Sequence, residues 1–128
     1  MKERLEPWWN QPWGPGKWQR KQVLGHLIDS AANNHWRFVT ALIEPALEGP
    51  GYDQEACVAV QNYATAPLEA MIALFVNYNR LLGHVIQQIP PSKLSTPCRI
   101  GGAAVVTLEA LAIDYVGHLQ HHLRQIAA

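Results

Sequence analysis

Apolar side chains recur every three to four residues along three long stretches of the chain, which is the period of an amphipathic helix. The first stretch extends from about Lys17 to Ile43 and contains no proline. Its apolar side comprises Leu24, Ile28, Ala31, Phe38 and Leu42. The second stretch begins at residues 65–67 and ends at Pro90, and the third begins after Thr107 and continues nearly to the C-terminus. The pattern therefore predicts three long helices.

The residues at the expected helix ends agree with this pattern. Asp53 is placed to cap a short helix that reaches about Tyr63, and Thr107 is placed to cap the last long helix. Pro67 falls in the first turn of the second long helix, where its missing N–H is harmless. Alternation typical of a strand is limited to the short stretch CRIGGAAVV. We therefore expect a single all-α domain over residues 1–128, built as a helical bundle.

The N-terminal segment has a different composition. Residues 1–16 are rich in tryptophan, proline and glycine, and the prolines exclude a long regular element there. The first eighteen residues contain four tryptophans, namely Trp8, Trp9, Trp13 and Trp18. So much aromatic surface is costly to leave in water. The segment is therefore predicted to be irregular and to pack onto the bundle.

Composition narrows the function classes. Lys plus Arg and Asp plus Glu both total 10, so the formal net charge is zero and nothing in the charge balance favours nucleic acid as a partner. No apolar stretch approaches the roughly 18 residues that span a bilayer, and the N-terminus lacks the apolar core of a secretory signal. Cys57 and Cys98 lie far apart, which argues against a disulfide scaffold. We expect a cytoplasmic protein that binds neither nucleic acid nor membrane.

The strongest chemical signal lies on the last predicted helix. His118 and His122 are one turn apart, about 40° in angle and about 6 Å in rise, at the edge of the apolar stripe. Two imidazoles at this spacing can chelate one divalent ion from a rigid element. Histidines at the edge of a core also occur without any ligand, and the spacing alone leaves both hypotheses open. His121 points about 100° away from His122 and is expected to be solvated.

A catalytic metal site needs a third ligand, and three histidines upstream are candidates. His35 falls on the apolar side of its helix and is expected to be a hydrogen-bonded core residue, whereas His84 is expected to be solvated. His26 belongs to a polar stripe that also contains Asp29, Ser30, Asn33 and Arg37. Because this stripe lies opposite the apolar side, it is either a solvated face or, given its short hydrogen-bonding side chains, part of a site.

A second polar stripe, on the last helix, comprises Asp114, His118, His122 and Gln125. If the two helices pack antiparallel, the two stripes line one groove and His26 lies near the histidine pair. Asp29 and Asp114 are then candidates to fix imidazole tautomers. A local hydrogen bond or an ion pair with Arg37 is an equally good interpretation of these carboxylates.

Three segments resemble the DinB-like superfamily, which includes DinB/YfiT-type proteins and thiol-dependent transferases. They are PGKWQRKQVLGHLIDSAANNHWRF, YDQEACVAVQNY and DYVGHLQHHLRQI. The resemblance implies a DinB-like four-helix bundle in which His26, His118 and His122 hold one divalent metal ion, such as nickel or zinc. It also offers candidates for supporting the ligands or contacting substrate, namely Asp29, Asn33, Arg37, Asp114 and Gln125.

The resemblance implies a metal-dependent enzyme that acts on a small-molecule substrate. The metal ion would lower the pKa of water or of a thiol and so generate a nucleophile near neutral pH. Hydrolysis, or transfer involving a low-molecular-weight thiol cosubstrate, fits this chemistry. Metal occupancy is expected to decrease when the pH is lower than about 6, because imidazole binds metal only when neutral. The alternatives are a non-catalytic metal-binding stress or interaction protein and a helical dimer that binds no metal.

Two departures from the family pattern affect the fold. The family usually has a long helix before the tryptophan of GKW, and here that helix is expected to be shortened or replaced by the Trp/Pro-rich segment. The apolar flank that such a helix covers then needs another partner, and we expect a homodimer. Gln19 and Gln22 stand in place of the family's capping-box residues, which predicts a less firmly fixed helix start.

Overall fold

The computed structural model describes residues 6–128 and consists mainly of helices. The helices in this range are α1 (Glu6–Trp9), α2 (Arg20–Ile43), α3 (Gln54–Gln61), α4 (Leu68–Gln87) and α5 (Leu108–Ala127). The strands are β1 (Leu47–Gly49), β2 (Pro97–Ile100) and β3 (Val106–Thr107). Single 3-10 turns cover Tyr63–Thr65 and Pro91–Lys93. Within the described part of the chain, every helix is too short or too polar to cross a membrane.

The three long predicted helices are confirmed, and α2 lies at the centre of the bundle because α4 and α5 both pack against it. At the start of α2, the Arg20 Nε–H donates to the carbonyl of Ile126 at 3.0 Å. Towards its end, the rings of Phe38 and Tyr115 lie 5.8 Å apart. Contacts in this order show that α2 and α5 run antiparallel, which is the arrangement that brings the two polar stripes together.

The helix ends follow the expected capping chemistry. The side chains of Asp53 and Thr107 each accept a hydrogen bond of 3.1 Å from a backbone N–H in the first turn of α3 and α5, respectively. At the start of α2, the backbone N–H of Gln19 donates to the Gln22 side chain at 2.8 Å. This bond is one half of a capping box, so the two glutamines retain part of the family's device.

The expectation of an all-α fold is wrong in one region, where three short strands form a sheet. β1 pairs with β2 in parallel, with Leu47 opposite Cys98, and β2 pairs with β3 antiparallel. Gly101 and Gly102 turn the chain between β2 and β3 with φ of 60° and 74°, which glycine adopts at little cost. The strands have only two to four residues. The alternation noted in CRIGGAAVV coincides with most of β2 and the first residue of β3. Pairing with the distant β1 stabilises these short strands.

The tryptophan-rich segment packs onto the bundle as expected. Trp9 is fully buried, and the three other tryptophans are partly buried against the same apolar cluster. The Arg20 side chain ties the segment to α2, because it donates to the carbonyl groups of Trp8 and Pro12 at 3.4 and 3.5 Å. The segment is not wholly irregular, since α1 forms one helical turn. Residues 1–5 of the predicted segment lie outside the described range.

Candidate metal centre

Three histidine side chains from two helices converge on one point. The Nε2 atom of His118 lies 3.3 Å from Nε2 of His26 and 3.0 Å from Nε2 of His122. Nitrogen ligands of a tetrahedral zinc ion, each at about 2.0–2.1 Å, are separated from one another by about 3.3 Å. The spacing of the three imidazoles therefore fits a single metal ion bound through Nε2. His26 is fully buried, whereas His118 and His122 are half-buried.

Gln125 fixes the tautomer of one of these imidazoles. Its Oε1 atom lies 2.7 Å from Nδ1 of His122, and its Nε2 atom lies 3.2 Å from Nε2 of His121. An amide oxygen only accepts, so His122 carries its proton on Nδ1 and turns the lone pair of Nε2 towards the cluster. Support of this kind orients metal-binding histidines in proteins. Gln125 therefore contacts one member of the histidine pair, His122, and the exposed His121 lies outside the cluster.

The three imidazoles are held in their neutral form. Burial, and to a smaller extent the nearby His122 and His118, lower the pKa of His26 to about 4. Burial is also the main cause that lowers the pKa of His118 and of His122. The Nδ1 atom of His26 is buried and has no hydrogen-bond partner among the described residues. Neutral imidazoles are the form that binds metal, so the donor set suits a divalent cation.

Asp29 supports the α2 side of the centre and does not contact the imidazoles by hydrogen bond. Its carboxylate accepts from the Tyr63 hydroxyl at 2.6 Å and from the Gln61 side chain at 2.9 Å. The Tyr63 ring lies directly on Gly25, where a Cβ atom would stand only 2.2 Å from it. Gly25 therefore admits Tyr63, and Tyr63 holds the carboxylate one turn beyond His26. The mid-helix glycine was the available sequence signal for this contact.

A cleft of about 360 Å³ adjoins the centre. Its polar lining comprises Ser30, Asn34, Arg37, Tyr52, Gln54, Asp114, Tyr115 and His118. Arg37 and Asp114 thus lie where the groove hypothesis places them. Asn33 does not, because it lines a separate surface pocket with Trp36 and Pro50, and Asn34 faces the cleft instead. Asn34, Tyr52, Gln54 and Tyr115 also line the cleft, although the sequence pattern does not mark them as site residues.

The other candidates are placed as follows. Asp114 is exposed, and within residues 6–128 no hydrogen bond joins it to His118. His35 is half-buried with its Nδ1 atom 2.9 Å from the Tyr78 hydroxyl, which confirms a hydrogen-bonded histidine. His84 is exposed, as expected. The structure therefore brings together three of the six histidines.

Comparison with known families identifies the group to which this arrangement belongs. A model of the DinB superfamily matches residues 4–126. The chain belongs to the DinB superfamily. The family resemblance of the three sequence segments is therefore confirmed.

Two similar proteins carry names that refer to metal-dependent hydrolysis. "Putative metal-dependent hydrolase YfiT" from Bacillus subtilis is 26% identical over 116 residues, which are 90% of this chain and 65% of that protein. "Putative metal-dependent hydrolase OB0413" from Oceanobacillus iheyensis is 26% identical over 113 residues, which are 87% of this chain and 64% of that protein. The chain thus spans slightly less than two thirds of the length of these relatives.

A solved structure supports the fold. YfiT from Bacillus subtilis, described as having an unusual four-helix bundle topology, matches with a TM-score of 0.87 at 24% sequence identity. The match covers 99% of this chain and 73% of that chain. The DinB-like, mainly helical bundle is therefore confirmed.

Proposed function

We propose that His26, His118 and His122 hold one divalent metal ion and that the chain is a metal-dependent hydrolase of small molecules. The observation that carries this proposal is the convergence of the three Nε2 atoms, two pairs of which are 3.0 and 3.3 Å apart. Membership of the DinB superfamily supports it, as do the names of the two relatives. A three-imidazole donor set suits zinc, nickel and similar ions.

The residues around the centre have distinct parts in this proposal. A divalent ion supplies Lewis acidity that generates a nucleophile near neutral pH from water or a thiol. Gln125 keeps the His122 lone pair directed at the ion, and the cleft beside His118 receives the substrate. Asp114 is the only carboxylate among the described residues that line the cleft. We assign it the acceptance of a proton from the attacking nucleophile.

Metal analysis of the purified protein tests the metal site. We expect one equivalent of divalent metal in the wild type and in His121→Ala, because His121 lies outside the cluster and is exposed. We expect loss of stoichiometric metal in His122→Ala, which removes one of the three Nε2 atoms. Unchanged occupancy in His122→Ala would contradict the three-histidine site.

Turnover is tested on the metal-loaded protein with a panel of small esters, amides and electrophiles, with and without added thiols. Metal-dependent hydrolysis without a thiol supports the hydrolase proposal, and activity only with a thiol supports transfer. Asp114→Asn is expected to lower turnover while leaving metal content unchanged. Stoichiometric metal with no turnover of any substrate would favour the non-catalytic alternative.

We further propose that the chain forms a homodimer through the groove between α4 and α5. This groove is lined by Ile86, Ala112, Ile113, Val116, Gly117 and Gln120. Ile113 and Val116 are 64% and 41% exposed, respectively. The chain has three long helices where YfiT is described as a four-helix bundle, and α1 has only one turn. A second copy of α5 supplies apolar cover for this groove.

Sedimentation analysis tests the dimer. Ile113→Asp is expected to give a monomer, whereas Val60→Asp on α3 leaves the dimer intact, because Val60 is exposed away from the groove. A wild-type monomer, or equal behaviour of the two variants, would contradict this surface.

A cytoplasmic location without nucleic-acid binding remains part of the proposal, and the two unpaired cysteines suit a reducing compartment.

A further inference from the structure

Three basic side chains are buried within residues 6–128, namely Arg20, Lys21 and Arg37. A buried charge is costly unless it is paired or fully hydrogen-bonded. Arg20 donates to carbonyl groups of α5 and of the N-terminal segment. Lys21 pairs with Glu6 at 3.1 Å and donates to the carbonyl of Ala64 at 3.1 Å. The fold therefore provides partners for two of the three buried charges.

Arg37 is the exception. Its residue surface is 9% exposed, and a guanidinium has five N–H donors to satisfy. In the described range its hydrogen bonding is limited to one long contact of 3.4 Å, from Nη2 to the carbonyl of Pro50. The Tyr52 ring lies 5.9 Å from Cζ, and the ion pairs found in residues 6–128 do not include Arg37. Burial accordingly lowers the pKa of this guanidinium.

The Arg37 side chain lines the cleft that also reaches the metal centre. The cleft has a volume of about 360 Å³, within the range of about 300–1,000 Å³ common for small-molecule sites. His118 lies in the same lining, together with the apolar side chains of Ile100 and Leu111. His26 and Arg37 lie on one face of α2, about three turns apart. The histidines and the Arg37 guanidinium therefore lie at separate positions along one cleft, and part of the lining of this cleft is apolar.

We propose that Arg37 binds a carboxylate group of the substrate, which makes the substrate class a small carboxylic acid. A guanidinium matches a carboxylate in both charge and planar geometry, because it donates two parallel hydrogen bonds. A phosphate carries nearly two negative charges at neutral pH, whereas the cleft offers a single cation and also contains Asp114. A singly charged anion therefore fits better. In the proposed function, the hydrolysed bond of this substrate lies at the histidine end of the cleft. That placement rests on the proposed function, whereas the carboxylate site at Arg37 does not.

Two probes that differ in one group test this site. Succinamate carries one carboxylate, and succinamide replaces it with a neutral amide of nearly the same shape. In NMR titrations of the metal-loaded protein, we expect succinamate to bind about tenfold more tightly than succinamide. Arg37→Met should make the two affinities equal. Arg99→Met is the control, because Arg99 is exposed and pairs with Glu48 at 3.3 Å, and it should keep the preference.

The same titrations in His122→Ala separate Arg37 from the metal ion as the anion-binding group. The preference for succinamate should persist in His122→Ala when its metal is lost. The proposal would be overturned if the wild type showed no preference for succinamate. It would also be overturned if the preference were lost in His122→Ala or kept in Arg37→Met. A wild-type protein that binds no metal yet prefers succinamate would overturn the proposed function and leave the carboxylate site standing.

Arg37→Lys covers the case in which Arg37→Met does not fold. Lysine keeps the positive charge but loses the planar pair of donors, so it should retain a weaker preference for succinamate. Complete loss of the preference in a folded Arg37→Lys protein would contradict a site based on charge. Circular dichroism of each variant shows whether the fold is retained.

Discussion

The two helices that build the proposed metal centre contribute to it in different ways. On α5, His118 and His122 lie one turn apart at a half-buried edge, and Gln125 of the same helix contacts His122. On α2, His26 is fully buried, with the Trp18 ring 5.4 Å from its own. The α5 contribution is local, because helix geometry alone sets the distance between its two imidazoles. The α2 contribution depends on tertiary packing around a single imidazole.

This difference shows in the glycine that precedes a histidine on each helix. A Cβ atom at Gly25 would lie 2.2 Å from the Tyr63 ring, whereas a Cβ atom at Gly117 would meet nothing within 4 Å. The backbone beside His26 is therefore in close contact with a neighbouring element, and the backbone beside His118 is not. A side chain added beside His26 should therefore disturb the packing of the fold together with the site, whereas one added beside His118 should not disturb the packing.

The largest expected effect comes from adding one methyl group on each helix. Gly25→Ala should destabilise the protein by about 3 kcal/mol, because the aromatic ring and the helix backbone must separate. Gly117→Ala should instead stabilise it by about 0.5–1 kcal/mol, because alanine favours a helix over glycine. Urea denaturation measures both changes in the free energy of unfolding. The measurement is made in the Ile113→Asp background, so that dimer formation does not contribute. Similar effects of the two substitutions on stability would show that the backbone at Gly25 is not packed more closely than the backbone at Gly117.

Acid should destabilise the metal-free protein mainly through the α2 imidazole. At pH above 6.5, His26 is neutral in both the folded and the unfolded chain, so it adds no pH dependence. Between 6.5 and about 4 the unfolded chain takes up the proton first, so the free energy of unfolding falls as the pH falls. The loss should be on the order of 2–3 kcal/mol. Urea denaturation between pH 6.5 and 4 should show that the free energy of unfolding depends less on pH in His26→Gln than in the wild type. An equal pH dependence would contradict the role assigned to His26.

The lowered pKa values also change the expected behaviour of the bound metal. Protons compete with a metal ion only when the imidazoles take them up, and burial delays this to lower pH for all three histidines. The occupancy loss expected from the sequence below about pH 6 therefore moves to lower pH. Retention of metal below that value is then compatible with histidine ligands.

A smaller effect is expected from the support on α5. Gln125→Leu removes the acceptor for the His122 Nδ1–H and should weaken metal binding about tenfold. Isothermal titration calorimetry at constant pH measures the change. Gln87→Leu serves as the matched control, because Gln87 is exposed on α4 and should leave the affinity unchanged. Unaltered affinity in Gln125→Leu would show that the hydrogen bond does not orient the ligand.

The sequence predicts those features that depend on neighbouring residues. The three long helices, the caps at Asp53 and Thr107, and the histidine pair all follow from local spacing. The third ligand does not, because the stripe containing His26 lies opposite the apolar side of α2 and equally suits a solvated face. Only the family resemblance selects it. The antiparallel packing of α5 on this stripe is what buries His26.

The features that the sequence missed depend on contacts between distant segments. The sheet pairs Leu47 with Cys98. Local alternation in CRIGGAAVV coincides with most of β2 and the first residue of β3, but no such pattern indicates β1 or the pairing. The rotation of α2 against α5 places Asn34 at the cleft and Asn33 at the surface beside Trp36. Sequence periodicity does not determine the orientation of a helix finely enough to distinguish two adjacent residues. Tyr63 reaches Asp29 from another element, so its role appears only in the folded chain.

The most direct test of the account is the number of imidazoles on the bound ion. X-ray absorption at the zinc edge, on protein loaded with one equivalent of zinc, should show three imidazole nitrogens at about 2.0–2.1 Å. His26→Gln should reduce this number to two, which would show that the buried α2 histidine and the α5 pair share one ion. A wild-type spectrum with only two imidazoles, or with sulfur ligands, would contradict the three-histidine centre.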